Sequence, residues 1–409
     1  MSVKINQHES FNQKVQQMEK QRVVVGLSGG VDSSVAAHLL KEQGYEVMGL
    51  FMKNWEDQQG VLTSSCTWED DWSFAEMAAR KLGIDLHFVD FSREYRQRVV
   101  DYMFAEYQRG RTPNPDVLCN REVKFDLFAR EAAKLGADYI ATGHYVRKQT
   151  HRTGQKTIHS LVAGDDKNKE QSYFLCQISQ EQLSKALFPL GSLYKSQVRD
   201  IAKKLGLPTA NRKDSQGICF IGKVDLPEFL QQKLSTQKGP ILKIEGHHLQ
   251  NHHSDEDGVE DLCRPHDLAP EKATKIGQHH GAHFFTVGQR KGLNVGGTKE
   301  PLYVIGIDTE KNIVYAGEGK DHPGLFRRGL FIHASDLHWI RPDLEMPPGG
   351  EQTLDFRIRY RQPLQKGRLI RKKEGAYIVF DQPQRGITPG QFAAWYLNDE
   401  LLGSGVIAG

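Results

Sequence analysis

A short segment rich in glycine and serine carries the first residues that could do chemistry. Residues 28–34 are Ser-Gly-Gly-Val-Asp-Ser-Ser, and they directly follow the apolar run Arg22–Leu27. Glycines let backbone amides approach an anion closely, serines offer hydroxyl donors, and a helix start carries a partial charge of roughly +0.5. The segment therefore predicts a phosphate-binding loop between a strand and a helix. Asp32 would repel phosphate unless it caps the helix or helps hold a cation, which favours a Mg²⁺ bridge.

The spacing separates this loop from better-known nucleotide loops, because neither GxxxxGK[ST] nor GxGxxG is found there. The Ser-Gly-Gly-x-Asp-Ser pattern resembles the pyrophosphate loop (PP-loop) of the ATP pyrophosphatase superfamily. Members of that superfamily split ATP between its α and β phosphates and adenylate a substrate. The alternative is a Gly-Ser turn that only caps an ordinary helix.

Cys119 is the first of two cysteines whose surroundings suggest a reactive thiol. It lies in Thr-Pro-Asn-Pro-Asp-Val-Leu-Cys-Asn, where a proline and an aspartate predict the start of a helix just before it. The helix dipole, together with Arg121 and Lys124, is expected to lower the pKa of Cys119 below its usual value of ~8.5.

Cys219 is the second, in the glycine-flanked segment Lys213–Gly222, which could present it at the mouth of a site. The two cysteines stand 100 residues apart, so only folding could bring them together. On these residues alone, both stay open as buried structural cysteines.

The remaining cysteines indicate a compartment rather than a site. Five cysteines without close pairs argue against a secreted disulfide framework, and the first 20 residues resemble neither a secretory signal nor a transit peptide. We therefore expect a cytoplasmic protein. Three cysteines are interpreted as structural or incidental, and the histidines around one of them as solvated loop residues, so no metal site is predicted. These residues are Cys66, Cys176, Cys263, His247, His248, His252, His253 and His266.

Length and charge limit the remaining possibilities. A chain of 409 residues suggests two or three domains, and no apolar run is long enough to span a bilayer. The net charge of +3 is too small to attract a polyanion over the whole surface. Nucleic-acid contact would need local clusters such as residues 357–373, with eight basic and no acidic residues, or the basic stretch 195–213. Ordinary solvated surface is the alternative for both.

The elements that must position these residues follow a repeated strand–helix order. Predicted strands are Arg22–Leu27, Glu46–Phe51, Leu86–Asp90 and Asp138–Thr142, and predicted helices start near Val31, Phe74 and Val117 and end at Gly44, Gly83 and Gly136. This order predicts an α/β fold with a Rossmann-like parallel sheet, whose ligands bind beyond the carboxyl ends of the strands.

The rest of the chain predicts two smaller units. Residues 246–283 are rich in His, Asp and Gly and predict an exposed insertion or loop. From residue 301 onward, alternating patterns predict a hairpin and further strands of an antiparallel β-barrel or sandwich. The predicted domains are a catalytic domain over 1–225, a central domain over 226–300 and a C-terminal β-barrel over 301–409.

Several longer motifs extend the resemblance along most of the chain. They are GLSGGVDSSV, GLFMKNW, GRTPNPDVLCNREVKF, ATGHYV, KEQSYFL, KDSQGICFIG, TVGQRKGLNVGGTKE and RIRYRQ. Their order over residues 20 to 409 resembles that of the bacterial tRNA-specific 2-thiouridylase family. The resemblance implies a PP-loop (adenine nucleotide α-hydrolase-like) fold, a small central domain and a C-terminal antiparallel β-barrel that contacts tRNA.

The same resemblance implies an activity: ATP-dependent 2-thiolation of the wobble uridine, U34, in tRNAs for Lys, Glu and Gln. ATP would adenylate the C2 oxygen and make AMP the leaving group. Cys219 would receive a persulfide from a sulfur-donor protein, either a cysteine desulfurase or a sulfur-relay carrier. Cys119 would be the partner nucleophile that helps release or deliver the sulfur, with an alternating disulfide between the two.

Matching residue by residue, the resemblance also implies binding positions. Those for ATP are Gly26, Leu27, Ser28, Gly29, Gly30, Val31, Asp32, Ser33, Met52 and Gly143. Those for tRNA are Asn114, Pro115, Asp116, Lys169, Glu170, Gln171, Arg359 and Tyr360. Gln216 departs from the family pattern, which has a small hydroxyl residue there, and the segment 246–283 is longer than expected.

Two other functions remain open at this point. A PP-loop ligase acting on a small molecule, of the amidating or argininosuccinate-forming kind, would leave the paired thiols and the basic C-terminal stretch without a purpose. A non-catalytic tRNA-binding protein with a vestigial nucleotide loop would leave the intact loop and both cysteines unexplained.

Overall fold

The structure is a computed structural model that describes residues 20–56, 68–214, 217–222, 224–249 and 258–408. Cys66, Gln216, His252 and His253 lie outside these ranges. Within them, no helix is both long enough and apolar enough to cross a membrane.

The first domain is built on a five-stranded parallel sheet. Its strands are β1 (Arg22–Gly26), β2 (Glu46–Lys53), β3 (Leu86–Asp90), β4 (Tyr139–Ala141) and β7 (Ala186–Leu187), in the order β3-β2-β1-β4-β7. Every pair is parallel. The valines of β1 are fully buried, as expected for a central strand covered on both faces. The prediction of a Rossmann-like α/β sheet is confirmed.

Helices connect these strands. They are α1 (Val31–Glu42), α2 (Trp68–Leu82), α3 (Ser92–Tyr95), α4 (Asp101–Gln108), α5 (Pro115–Leu118), α6 (Phe128–Lys134), α7 (Gln180–Ser184) and α8 (Lys195–Lys204). Two π-helical stretches, Arg96–Val100 and Cys119–Leu127, join α3 to α4 and α5 to α6. The predicted glycine ends are confirmed: Gly44, Gly83 and Gly136 all have positive φ beyond their helices.

A second, four-stranded sheet forms the middle of the molecule. Its strands are β8 (Gly239–Ile244), β9 (Ala273–His279), β10 (Leu302–Asp308) and β11 (Ile313–Glu318), in the order β10-β11-β8-β9. The predicted hairpin is β10–β11, and this sheet spans the predicted boundary at residues 300/301. The prediction of a loop over 246–283 is wrong where β9 and the helix α10 (Val259–Cys263) form. The helix buries Leu262 and Cys263 against the C-terminal sheet, and β9 pairs along its length with β8. A further short helix, α9, covers Leu226–Leu230.

The third sheet is antiparallel and contains nine strands. They are β5 (Val146–Thr153), β6 (Lys156–Ala163), β12 (Phe326–His333), β13 (Leu337–Trp339), β14 (Glu351–Arg357), β15 (Gln365–Arg371), β16 (Gly375–Arg385), β17 (Phe392–Leu397) and β18 (Glu400–Val406). Its order is β12-β16-β15-β14-β17-β18-β6-β5, and β13 pairs with β18. The hairpin β5–β6 leaves the first domain after β4 and joins this sheet through β18. The sequence did not predict this hairpin.

Candidate active site

The predicted phosphate loop forms where β1 ends and α1 begins. Ser33 organises it: its Oγ accepts a hydrogen bond from the Ser28 amide at 3.2 Å and donates one to the Gly30 carbonyl at 3.1 Å. Gly29 has φ +71°, and a Cβ there would lie 2.2 Å from the carbonyl oxygen of Asp71 on α2. Only glycine fits this position, so the tight turn is built into the sequence.

The other predicted nucleotide residues lie beside this loop. A Cβ on Gly26 would lie 3.7 Å from the Met52 Cε, and one on Gly143 would lie 3.0 Å from the Ser33 amide. The ends of β1, β2 and β4 thus meet at one edge of the sheet, where ligands of such sheets bind. The structure brings the predicted residues together, and their role in binding ATP stays a prediction.

Asp32 neither caps α1 nor faces an open cation site. The Lys195 Nζ lies 2.7 and 2.8 Å from its two carboxylate oxygens, and the Tyr145 hydroxyl donates to one of them at 2.7 Å. The N-cap of α1 is Gly30. Within the described ranges, no group of three or more His, Cys, Asp or Glu side chains could hold a metal ion. These residues therefore do not fit a protein-held Mg²⁺.

Asp214 connects this loop to a neighbouring group of cations. Its carboxylate bonds Lys169 at 2.6 Å, Lys195 at 2.8 Å and Arg199 at 2.9 Å. Burial alone would raise the pKa of Asp214, but the bonds from Lys169 and Lys195 outweigh it and lower the pKa to about 2. The sequence predicts the stretch 195–213 only as a basic cluster and gives no sign that Lys195 and Arg199 pair with Asp214.

Arg212, from the same stretch, buttresses the loop from outside. Its guanidinium donates to the Gly29 carbonyl at 3.0 Å and pairs with the Asp71 carboxylate at 2.8 Å. Its side chain also lies over the Phe74 ring at 4.3 Å. The loop is therefore held against α2 by an arginine 183 residues away in sequence, which spacing alone could not have identified.

The two cysteines meet. Cys119 begins the π-helical stretch that follows α5, and Asn114 caps α5 by accepting a hydrogen bond from the Val117 amide at 3.3 Å. Cys219 lies on the turn 217–222, and its side chain is hydrogen-bonded to that of Cys119. The requirement that folding unite these thiols is met.

Lys124 is the charged side chain beside the two thiols. Lys124 lies five residues after Cys119 in the same π-helical stretch, and its ammonium interacts with both thiols and bonds the Cys219 sulfur. The hydrogen bond from Cys119, helped by the Lys124 charge against the effect of burial, lowers the pKa of Cys219 to about 7. Cys219 is therefore the thiol that ionises near neutral pH.

Cys119 behaves in the opposite way. It has no exposed surface, and burial, followed by its bond to Cys219, raises its pKa well above the usual value. The prediction that the helix dipole lowers the pKa of Cys119 is wrong, because the loss of solvation exceeds the dipole contribution of roughly 0.3–1 kcal/mol. The cation that the prediction invoked acts mainly on the partner thiol.

A cavity of about 460 Å³ opens beside the thiols. It is lined by Pro113, Asn114, Pro115, Asp116, Gly217, Ile218, Gly222, Val224 and Gln391. Three of the predicted tRNA positions therefore share one pocket with the Cys219 turn. Gln391, from the C-terminal sheet, donates to the Thr112 and Pro113 carbonyls at 2.9 and 3.0 Å and closes one wall.

The other predicted tRNA positions separate into outward and inward groups. Arg359 is exposed, and the Tyr360 ring lies tilted against that of Phe174, with ring centroids 4.2 Å apart. Glu170 is buried in an ion pair with Arg357 at 2.6 Å. The two remaining positions are also engaged: Gln171 accepts from the Tyr145 amide at 3.0 Å, and Lys169 bonds Asp214. The side chains of Lys169, Glu170 and Gln171 thus all have partners within the protein, and their role in binding tRNA stays a prediction.

His144 links the nucleotide edge to the thiol pocket. It directly follows Gly143, it is buried, and its Nδ1 lies 2.7 Å from the Thr142 hydroxyl. Burial, and then the nearby positive charge of Lys124, lowers its pKa well below the usual value, so the ring is neutral. The segment Gly143–His144 thus contacts the phosphate loop through Gly143 and lies near Lys124 of the thiol pair through His144.

Family models and named proteins match this chain over most of its length. Three family models match: tRNA methyl transferase HUP domain over residues 21–223, tRNA methyl transferase PRC-barrel domain over 268–318 and aminomethyltransferase beta-barrel domain over 331–407. These matches also agree with the predicted fold class. Proteins named tRNA-specific 2-thiouridylase MnmA from Christiangramia forsetii and Flavobacterium johnsoniae are each 56% identical over 393 residues, covering 95% of this chain and 100% of each relative. The protein of that name from Pseudomonas aeruginosa is 46% identical over 393 residues, covering 95% of this chain and 94% of the relative. Identity of this extent, on a fold that joins two thiols beside a Gly-Ser loop, means that the chain belongs to the tRNA-specific 2-thiouridylase MnmA family.

Proposed function

We propose that this chain catalyses ATP-dependent 2-thiolation of the wobble uridine, U34, of tRNA, giving 2-thiouridine, AMP and pyrophosphate. Membership of the family makes it a tRNA sulfurtransferase. The observation that carries the detailed proposal is the interaction between Cys119 and Cys219, next to residues that line one cavity. Gly143 lies against the phosphate loop, and the adjacent His144 lies near Lys124 of the thiol pair. A small-molecule ligase would have no use for this thiol pair.

The first step is activation of the base. The C2 oxygen of uracil attacks the α-phosphorus of ATP, the bond to the β-phosphate oxygen breaks, and pyrophosphate leaves. The backbone amides and hydroxyls of residues 26–33 are suited to hold the phosphates, and the Lys195 ammonium, now on Asp32, is within reach of the same loop. Mg²⁺ stays a prediction: it would have to arrive on the phosphates, because Asp32 is already paired.

The second step delivers sulfur. A persulfide on Cys219 attacks C2 through its outer sulfur, and the C–O bond breaks to release AMP with the original oxygen. The Cys119 thiol then attacks the Cys219 sulfur, the S–S bond breaks, and a disulfide forms between the two cysteines. The 2-thiopyrimidine leaves as an anion and takes up the Cys119 proton at N3, which replaces the proton that the base lost on adenylation. A thiol reductant supplies two electrons and two protons to reset the pair.

The two thiols differ in exposure and in pKa, and this difference supports the roles proposed for them. Cys219 is partly exposed and ionises near neutral pH, so it can accept sulfur from a donor protein, a cysteine desulfurase or sulfur-relay carrier. Cys119 is buried, which keeps it protonated until the pocket holds the activated base. The expected acceptors are tRNAs for Lys, Glu and Gln, whose wobble base must leave the anticodon stack to reach the pocket. A cytoplasmic location is expected from the cysteine content.

The test replaces each cysteine in turn. We expect Cys119→Ser and Cys219→Ser to abolish 2-thiouridine formation, measured by nucleoside mass spectrometry after incubation with tRNA, ATP and a cysteine desulfurase with free cysteine. Pyrophosphate release in a single turnover should persist in both. Cys263→Ser is the matched control, since that buried cysteine lies in α10, among residues that pack on the C-terminal sheet.

Normal 2-thiouridine formation in either active-site variant would overturn the role assigned to that cysteine. Formation of AMP and pyrophosphate without any dependence on tRNA, together with product on a small molecule, would favour a ligase instead.

A further inference from the structure

The turn that carries Cys219 has a conformation that its own sequence does not favour. Residues 218 and 222 exchange backbone hydrogen bonds at 2.9 and 2.8 Å, which closes a tight loop around the cysteine. Phe220 within it has φ +67°, in the left-handed region that a bulky side chain rarely adopts. Such a turn persists only where neighbouring groups hold it.

Two side chains hold the backbone of Cys219 itself. The Asp116 carboxylate accepts its N–H at 2.8 Å, and the Tyr95 hydroxyl donates to its carbonyl at 2.7 Å. Both polar groups of this one peptide residue are therefore engaged by residues more than 100 positions away in sequence. These two hydrogen bonds fix the backbone on both sides of the Cys219 side chain, and so hold its sulfur near Cys119.

Tyr95 differs from Asp116 in what it can reach. Asp116 lines the cavity, whereas Tyr95 has no exposed surface. The Tyr95 ring packs edge-on against Phe220 at 6.0 Å and against Trp55 at 6.4 Å. Burial, and then the nearby cysteines, raises its pKa well above 10, so the hydroxyl keeps the proton that it donates. Tyr95 can therefore influence a reaction only through the turn.

We propose that Tyr95 is a positioning residue for sulfur transfer: its hydroxyl fastens the Cys219 turn so that the Cys219 sulfur stays against Cys119. This inference rests on the proposed function for its catalytic consequence, but the fastening itself is a property of the thiol pair. Without the hydroxyl, the strained turn relaxes and a smaller fraction of molecules keeps the two sulfurs in contact. The phosphate loop, which is held by Ser33 and Arg212, is left intact.

The test is Tyr95→Phe in the full-length chain, which keeps the ring and removes one oxygen. The first measurement is the rate of disulfide formation between Cys119 and Cys219 with diamide, which accepts the two electrons and two protons; the product is identified by peptide mass spectrometry. We expect a fall of roughly three- to tenfold, the effect of losing one hydrogen bond that holds the reactive arrangement. Tyr107→Phe is the matched control, because that tyrosine is also buried and lies on α4.

The second measurement separates positioning from general damage. In Tyr95→Phe, kcat for 2-thiouridine formation should fall by a similar factor, whereas KM for tRNA and single-turnover pyrophosphate release should match the wild-type values. An unchanged disulfide rate would overturn the proposal. So would an equal loss of pyrophosphate release, since the tyrosine would then support the whole domain. If the wild-type chain made no 2-thiouridine, the proposed function would fail, while the diamide assay would still decide whether the hydroxyl holds the turn.

Discussion

Replacing Lys124 by methionine isolates the electrostatic part of the thiol pocket. Methionine keeps most of the length and removes the ammonium that bonds the Cys219 sulfur. What remains is burial, which raises the pKa of Cys219, and the hydrogen bond from Cys119, which lowers it. We therefore expect the pKa of Cys219 to rise in Lys124→Met.

The size of the change follows from the contact that is lost. A hydrogen bond to a charged group contributes about 1.5–3 kcal/mol, which corresponds to about one to two pH units for the acceptor. With a pKa of about 7, roughly half of Cys219 is thiolate at pH 7. After the substitution, the thiolate fraction at pH 7 falls to between roughly one in ten and one in a hundred, which slows thiolate reactions about five- to fiftyfold.

The assay is the rate of iodoacetamide alkylation at Cys219 between pH 5.5 and 10, with the modified peptide quantified by mass spectrometry. The wild-type rate should rise to half its maximum near pH 7, and that of Lys124→Met above pH 8, with the two curves converging at high pH. Lys134→Met is the control, because this lysine is exposed and pairs only with Glu131 among the described residues. Superimposable curves for wild type and Lys124→Met would refute the reasoning that this cation sets the pKa.

Two further predictions concern the phosphate loop. Lys195→Met should slow pyrophosphate release by roughly tenfold or more, because it removes a cation beside the phosphates, and should leave diamide oxidation of the cysteines unchanged. Lys204→Met, at an exposed lysine, is the control. Equal rates of pyrophosphate release in Lys195→Met and the wild type would contradict this prediction. Gly29→Ala should lower Tm and weaken ATP binding, because its Cβ would collide with the Asp71 carbonyl. Gly44→Ala is the control, since Gly44 also has a positive φ but a Cβ there would meet nothing within 4 Å. Equal losses of Tm and ATP affinity in both variants would point to backbone strain alone.

The elements with strong local signals could be predicted from the sequence. The strand β3 has the predicted bounds Leu86–Asp90, and α1 begins at the predicted Val31. Both follow from apolar patterns that are complete within one segment. The hairpin β5–β6 carries mostly polar side chains, including Arg147, Lys148 and Gln149, and its partner strand lies more than 200 residues further on. No local pattern reveals a pairing at that distance.

The candidate site likewise contains residues that the sequence identified and residues that it did not. Residue types and motif order identified the loop and both cysteines, because their chemistry is visible in single residues. The partners that set their properties were not identified, because Tyr95 and Lys195 act through contacts that only folding makes. Lys124 was identified as a cation near Cys119, but its ammonium interacts with both thiols and bonds Cys219. A 3.6-residue period does not anticipate the π-helical stretch that carries it.

The hairpin β5–β6 has a consequence for any attempt to divide the protein. The main chain crosses from the first domain into the last sheet and back, and Ser172, Tyr173 and Gln177 add side-chain bonds to that sheet at 3.1, 3.0 and 2.7 Å. A truncation before residue 326 would strip β6 of its partner strand and leave an unpaired edge prone to self-association. The C-terminal sheet and the domain that carries the two thiols are therefore expected to fold and to be purified only together.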